Sequence, residues 1–201
     1  MGGMVRWTSK LRKYYYWAGM LTDVIHYVQT CPECLLFARK RIRSDVVVPR
    51  MTPLAPWHDV YVDAMGPYRK TTAGNQHLLV CVDHFTRWAE VKAVPAVDEM
   101  AFATWLVTEL VPRHGCPVRL VSDRGGAFVS GVCQQVYRLL EIRKSTVTAY
   151  RPRSNAVVER FNGTFKRILQ KYTREEEPME WDRNLSTSLM AYNTTVSRST
   201  G

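Results

Sequence analysis

Three carboxylates in this chain have the types and spacing to work on phosphate esters. Asp123 follows the apolar run Val118 to Val121 in VSDRGGAF, and Gly125-Gly126 just beyond it marks a sharp turn. The spacing predicts a strand end whose side chain projects into a cleft. Glu159 lies further on, with 35 residues between the two acids. Pro152, Ser154 and Asn155 read as a loop and helix N-cap, and Phe161, Phe165, Ile168, Leu169 and Tyr172 then recur at helical spacing. Glu159 therefore falls in the first turns of an amphipathic helix. Asp63 stands in the alternating strand HDVYVDAM, which stops at Gly66-Pro67. Two acids on strands and one on a helix can converge on a pair of divalent metals such as Mg²⁺ or Mn²⁺. Such ions need hard oxygen ligands and leave positions open for phosphate oxygens and water. Singly, each acid has an ordinary structural role, as a turn former, a strand-end residue or a complement to the helix dipole. The joint pattern is what points to chemistry.

The elements that must position these acids follow in order. Trp57 to Met65, His77 to Asp83 and Trp88 to Val94 read as strands of an antiparallel meander, with a turn region from Gly66 to Gln76. Asp98 can N-cap a helix with Met100, Phe102, Ala103, Leu106, Val107 and Leu110 as its core face. A fourth strand from Val118 to Ser122, a helix from Val132 to Leu140 and a short fifth strand from Arg143 to Thr148 precede the Glu159 helix. An acidic patch, Glu175-Glu176-Glu177, then leads to a final helix from Trp181 to Tyr192. This order describes an α/β domain, a mixed sheet covered by helices.

At 201 residues with 46% apolar content, the chain suits one full domain and a small appendage. No stretch is apolar for the length needed to cross a membrane and no signal-peptide pattern opens the chain, so nucleus or cytoplasm is expected. Net charge is +10, of which Leu35 to Arg50 supplies +4 and Arg151 to Arg174 supplies +6. Charge gathered in one loop and along the Glu159 helix suggests a polyanion partner. Cys81, Cys116 and Cys133 lie in apolar surroundings and are expected to be core thiols. Ahead of the core, Leu11, Tyr14, Tyr15 and Trp17 form an aromatic-rich segment, and a short helix with Asp23, Val24, Tyr27 and Val28 runs into Cys31-Pro32-Glu33-Cys34. That spacing is a metal knuckle, yet structural zinc takes four ligands. His26 is the single histidine of this segment and reads as a helix-face residue.

With these motifs, the chain resembles the integrases of retroviruses and gypsy-class LTR retrotransposons, whose core carries Asp, Asp, thirty-five residues and Glu. The likeness runs from about Tyr14 to Gly201. It implies an RNase H-like core with a five-stranded mixed sheet over residues 57–201, in which Asp63 and Asp123 lie side by side. It also implies a partial zinc-binding (H2C2-type) module over residues 1–38 and a basic, Pro-containing linker over residues 39–56. YYYWAGMLTDVIHYVQTCPEC matches the second half of that module. Cys31 and Cys34 would be two of its zinc ligands, and the completing His pair would fall at or before Met1. The implied activity is metal-dependent polynucleotidyl transfer, the cleavage and joining of DNA strands in DNA integration. Asp63 would bridge two Mg²⁺ or Mn²⁺ ions, with Asp123 and Glu159 each completing one side. Lys166, two helical turns beyond Glu159, is expected on a DNA phosphate, with Asn162 beside it and Arg160, Arg151 and Arg153 as further backbone contacts. Tyr150 either stacks on a base or packs under its loop. Asp83, in VDHFTRW, is expected to be structural. Two positions depart from the family pattern, Ala156 where Gly is usual and Arg151 where His is frequent. Expected partners are DNA, both element ends and target, and further copies of the chain. The alternative is a catalytically silent, truncated or co-opted nucleic-acid-binding remnant. An RNase H-like nuclease acting on RNA–DNA hybrids shares the fold but not the motif flanks.

Overall fold

The computed structural model describes residues 11–31, 55–146, 156–173 and 178–196. It divides into two compact units, one of residues 1–51 with 194–201 and one of residues 52–193. In the first unit, helix α1 (Met20–Thr30) starts after Gly19, whose φ of 84° suits a residue without a Cβ. The Trp17 indole N–H donates to Asp23 in its first turn at 2.7 Å. Val24 is buried, whereas Tyr27 is 71% exposed.

The second unit is built on a five-stranded sheet in the order β3-β2-β1-β4-β5. Its strands are β1 (Asp59–Met65), β2 (His77–Asp83), β3 (Ala89–Val94), β4 (Arg119–Ser122) and β5 (Arg143–Thr146). The first three form the expected antiparallel meander, and β4 and β5 join β1 in parallel. β1 turns away at Gly66, where a Cβ would stand 2.8 Å from the Gln76 carbonyl oxygen. Alternation along β1 sends Val60 and Val62 to one face of the sheet and Tyr61 and Met65 to the other. The first face is covered by α2 (Glu99–Trp105), which continues through a π-helical turn (Leu106–Leu110) into Val111–His114, and by α3 (Gly131–Leu139). The second is covered by α4 (Ala156–Tyr172) and by α5 (Leu185–Asn193), which follows a 3-10 segment (Pro178–Asn184). Asp63 thus belongs to the α4 face, by the same parity as Tyr61 and Met65.

Several expectations shift in detail. The Asp98 cap is as read, its carboxylate accepting from the Ala101 N–H at 2.7 Å. The core face of α2 is different: Phe102, Ala103, Trp105, Leu106 and Leu110 are buried, while Met100 and Val107 are exposed. Val107 falls inside the π-helical turn, where a period of 3.6 residues loses phase, whereas Met100 stands in the first turn of the helix ahead of the buried stripe. Val118 lies outside β4 and is exposed, and the start of the expected final helix, Trp181 to Asn184, is 3-10, the α-helix beginning only at Leu185. Cys81 and Cys133 are buried as expected, but Cys116 is exposed, because it sits in the loop before β4. Residues 147–148, at the expected end of the fifth strand, and the patch Glu175 to Glu177 lie outside the described residues.

Candidate active site

Pairing between β1 and β4 sets two of the acids together. The last paired positions are Tyr61 and Val121, and Asp63 and Asp123 each stand two residues further along parallel strands. They therefore occupy the same level at neighbouring strand ends. The third acid arrives on α4. Val158, Phe161, Phe165 and Leu169 are buried against the sheet, and the Phe161 and Phe165 rings stack at 5.0 Å. This apolar stripe fixes the rotation of the helix and leaves Glu159 exposed at its flank. Asn162, one turn beyond Glu159, donates from Nδ2 to Asp63 Oδ2 at 2.8 Å and so ties α4 to β1.

The electrostatics agree with this placement. Burial pushes the Asp63 carboxyl above its usual range, and the charges of Asp123 and Glu159 push it further. The Ala64 N–H, donating at 2.9 Å, and the Asn162 amide act the other way. Asp123 is exposed and its Oδ1 accepts from the Gly125 N–H at 2.8 Å, so the turn predicted by Gly125-Gly126 holds the carboxylate from below. Among the described residues, no three acidic, His or Cys side chains gather closely enough to enclose an ion. The three acids are electrostatic neighbours rather than a closed cage.

A divalent cation fits this donor set. Its oxygens are hard, and among the described residues no ion pair offsets their mutual repulsion and Asn162 Oδ1, beside Asp63, is buried without a hydrogen-bond partner.

Two basic residues near the site carry no sequence motif. Lys144, on β5 opposite Leu120, donates to the buried Ser122 hydroxyl, which in turn donates to the Asp123 carbonyl oxygen at 2.6 Å. Burial pulls the Lys144 ammonium down to about 8, with Asp123 opposing the shift. A lysine within a short parallel strand, where apolar residues are usual, was the available signal. Arg87 sits in the β2–β3 turn with a φ of 67°, unusual for a side chain of its size.

Of the other expected site residues, Lys166 and Arg160 are exposed on α4. Arg151, Arg153, Tyr150 and Cys34 lie outside the described residues, while Cys31 follows α1 with its N–H donating to the Tyr27 carbonyl at 3.0 Å. His26 is exposed on α1. Asp83 is 1% exposed and accepts from the Trp57, Phe85 and Thr86 N–H groups and the Thr86 hydroxyl. Those bonds make it a turn-forming residue, as expected.

The geometry can be set beside known proteins. Residues 2–40 match the family model of the integrase zinc binding domain. The Gag-Pol polyprotein of baboon endogenous virus is 42% identical over 128 residues, which is 63% of this chain and 7% of that protein. The chain is a relative of the integrases. Gypsy retrotransposon integrase-like protein 1 of Macaca fascicularis is 26% identical over 197 residues, 96% of this chain and 36% of that protein. The HTLV-2 integrase catalytic core domain, in a structure with magnesium, superposes with a TM-score of 0.60 at 24% identity, covering 74% of this chain and 93% of that one. That likeness establishes the fold as that of a retroviral integrase core. The chain spans well under half the length of the curated relatives it matches. Among the described residues, no helix is long and apolar enough to cross a membrane.

Proposed function

We propose that this integrase-type core cleaves and joins DNA strands by metal-dependent polynucleotidyl transfer, with Asp63, Asp123 and Glu159 as its catalytic acids. The observation that carries the reading is the position of Asp63. It is half-buried on the α4 face, pushed toward its protonated form by burial and by the other two acids, and held by Asn162. Asp63 forms no ion pair among the described residues, so no cation there offsets the charges of Asp123 and Glu159 that act on it.

Asp63, Asp123 and Glu159 would hold the divalent ions. Bound there, Mg²⁺ or Mn²⁺ supplies activation of a water or DNA 3′-hydroxyl and neutralisation of the charge that develops on the leaving oxygen. The remaining work belongs to the chain. Asn162 and the Ala64 N–H orient Asp63, the Gly125 N–H orients Asp123, and the apolar stripe of α4 sets the approach of Glu159. Lys166 and Arg160 would hold phosphates of the DNA backbone, which fixes the strand without reading its sequence. The magnesium in the HTLV-2 core structure supports this reading by relationship.

Replacing Glu159 by Gln tests it. The wild-type chain is expected to nick a branched DNA substrate in Mn²⁺ or Mg²⁺, and Glu159→Gln to abolish nicking while leaving the melting temperature unchanged. Nicking that persists at the wild-type rate would overturn the assignment.

The separation of the three acids favours a second reading, a nucleic-acid-binding remnant without catalysis. It expects salt-sensitive DNA binding that survives Glu159→Gln, with no cleavage in either protein.

A further inference from the structure

At the β2–β3 turn, on the α4 side of the sheet, lies a cluster of positive charge without an ion pair among the described residues. Arg87 is half-buried in the β2–β3 turn, and its Nη1 is buried without a hydrogen-bond partner among the described residues. Burial and the nearby Arg160 guanidinium both disfavour its charge. His84, 8% exposed and edge-on to the Tyr61 ring at 5.2 Å, has a buried Nδ1 that also lacks a partner. Asp83, whose charge acts on both Arg87 and His84, has its oxygens taken up by the Trp57, Phe85 and Thr86 groups of the turn. Neither Arg87 nor Arg160 forms an ion pair with any described acid.

Two like charges with a buried, unsatisfied donor cost stability unless an anion completes them. Arg87 also holds a left-handed backbone conformation, the kind of local strain that collects at ligand sites. We propose that Arg87 and Arg160, with His84 beside them, form a phosphate subsite for the DNA strand. This inference rests on the DNA reading above and adds Arg87 and His84 to it. The guanidinium forks supply paired donors that suit phosphate oxygens, and the His84 imidazole, kept neutral by burial and by Arg87, supplies a further polar nitrogen. The subsite is spaced to act with the acids. Asp63 pairs with Val80 and Val60 with Asp83, so three residues of strand, about 10 Å, separate the level of Asp63 from the start of the Arg87 turn. Arg160 directly follows Glu159 on α4. A strand whose scissile phosphate lies at the acids would lay a neighbouring phosphate on the arginines.

The test is binding of a short fluorescein-labelled DNA duplex, followed by anisotropy across a range of salt. Arg87→Gln and Arg160→Gln are each expected to flatten the slope of log K against log salt by about 1, the loss of one phosphate contact. Arg87→Lys keeps the charge and is expected to keep most of the slope. Arg138→Gln, on the exposed side of α3, is expected to keep all of it. Arg87→Gln should melt at or above the wild-type temperature, because it removes an unpaired, half-buried charge. A structural arginine would lower it. Wild-type slope in Arg87→Gln, or equal flattening in Arg138→Gln, overturns the subsite while leaving the DNA reading standing. Absence of salt-dependent DNA binding by the wild-type chain overturns both.

Discussion

Asn162 on α4 donates its side-chain N–H to Asp63 on β1 at 2.8 Å, joining two residues 99 positions apart. This bond makes the helix that carries Glu159 and the strand that carries Asp63 one unit at the site. Removing it with Asn162→Ala should leave the fold intact, at a stability cost of about 1 kcal/mol. Activity should fall more, by about 10–100-fold, as for other residues that orient a metal ligand. Steady-state nicking rates beside thermal melts would separate the two effects.

Asp63 itself should lower the stability of the metal-free protein. Its folded pKa lies above the ordinary 3.8, so between 3.8 and that raised value the native state binds more protons than the unfolded one. Stability from this group is complete below pH 3.8 and is lost as pH rises through the folded value. In chelator at neutral pH, Asp63→Asn is expected to melt no lower than wild type. A clear drop would mean that the hydrogen bonds outweigh the repulsion.

Lys144 has the opposite charge and the opposite dependence on pH. Its folded value of about 8 lies below the unfolded 10.5, so across that window the unfolded chain binds more protons and stability rises with pH. Lys144→Met should flatten this rise, and denaturant midpoints measured from pH 7 to 10.5 would show it.

Gly125 tests how closely the turn holds Asp123. A Cβ there would stand 2.9 Å from Asp123 Oδ1 and 3.3 Å from the Phe128 ring. The Gly125 backbone, at φ −55°, suits alanine. Gly125→Ala is therefore expected to displace the carboxylate rather than the backbone. Nicking should slow by about 10–100-fold, as misplacement of reacting groups does, with stability changed by less than about 1 kcal/mol.

The parts of this fold that local physics decides were legible in the sequence. β1 ends at Met65, just before Gly66-Pro67, Asp98 caps α2, and the apolar stripe of α4 orients Glu159. Parity alone put Asp63 and Met65 on one face. What failed was local regularity: Val107, inside the π-helical turn, faces outward where a regular period put it in the core. What could not be read was tertiary. Lys144 meets Ser122 only because β5 pairs with β4, and the Arg160 charge reaches Arg87 only because α4 packs on the sheet. Neither pairing leaves a periodic trace in the chain. Of the Cys31–Cys34 knuckle, Cys34 lies outside the described residues.

The central claim is that Asp63, Asp123 and Glu159 act together on a divalent ion, although their side chains stand apart in the protein alone. Calorimetric titration of Mn²⁺ into the chain with a branched DNA substrate present, on wild type and on Asp123→Asn, tests it most directly. The account predicts binding at millimolar or tighter that is lost in Asp123→Asn. Equal binding by both proteins, or none by the wild type with DNA present, would contradict it.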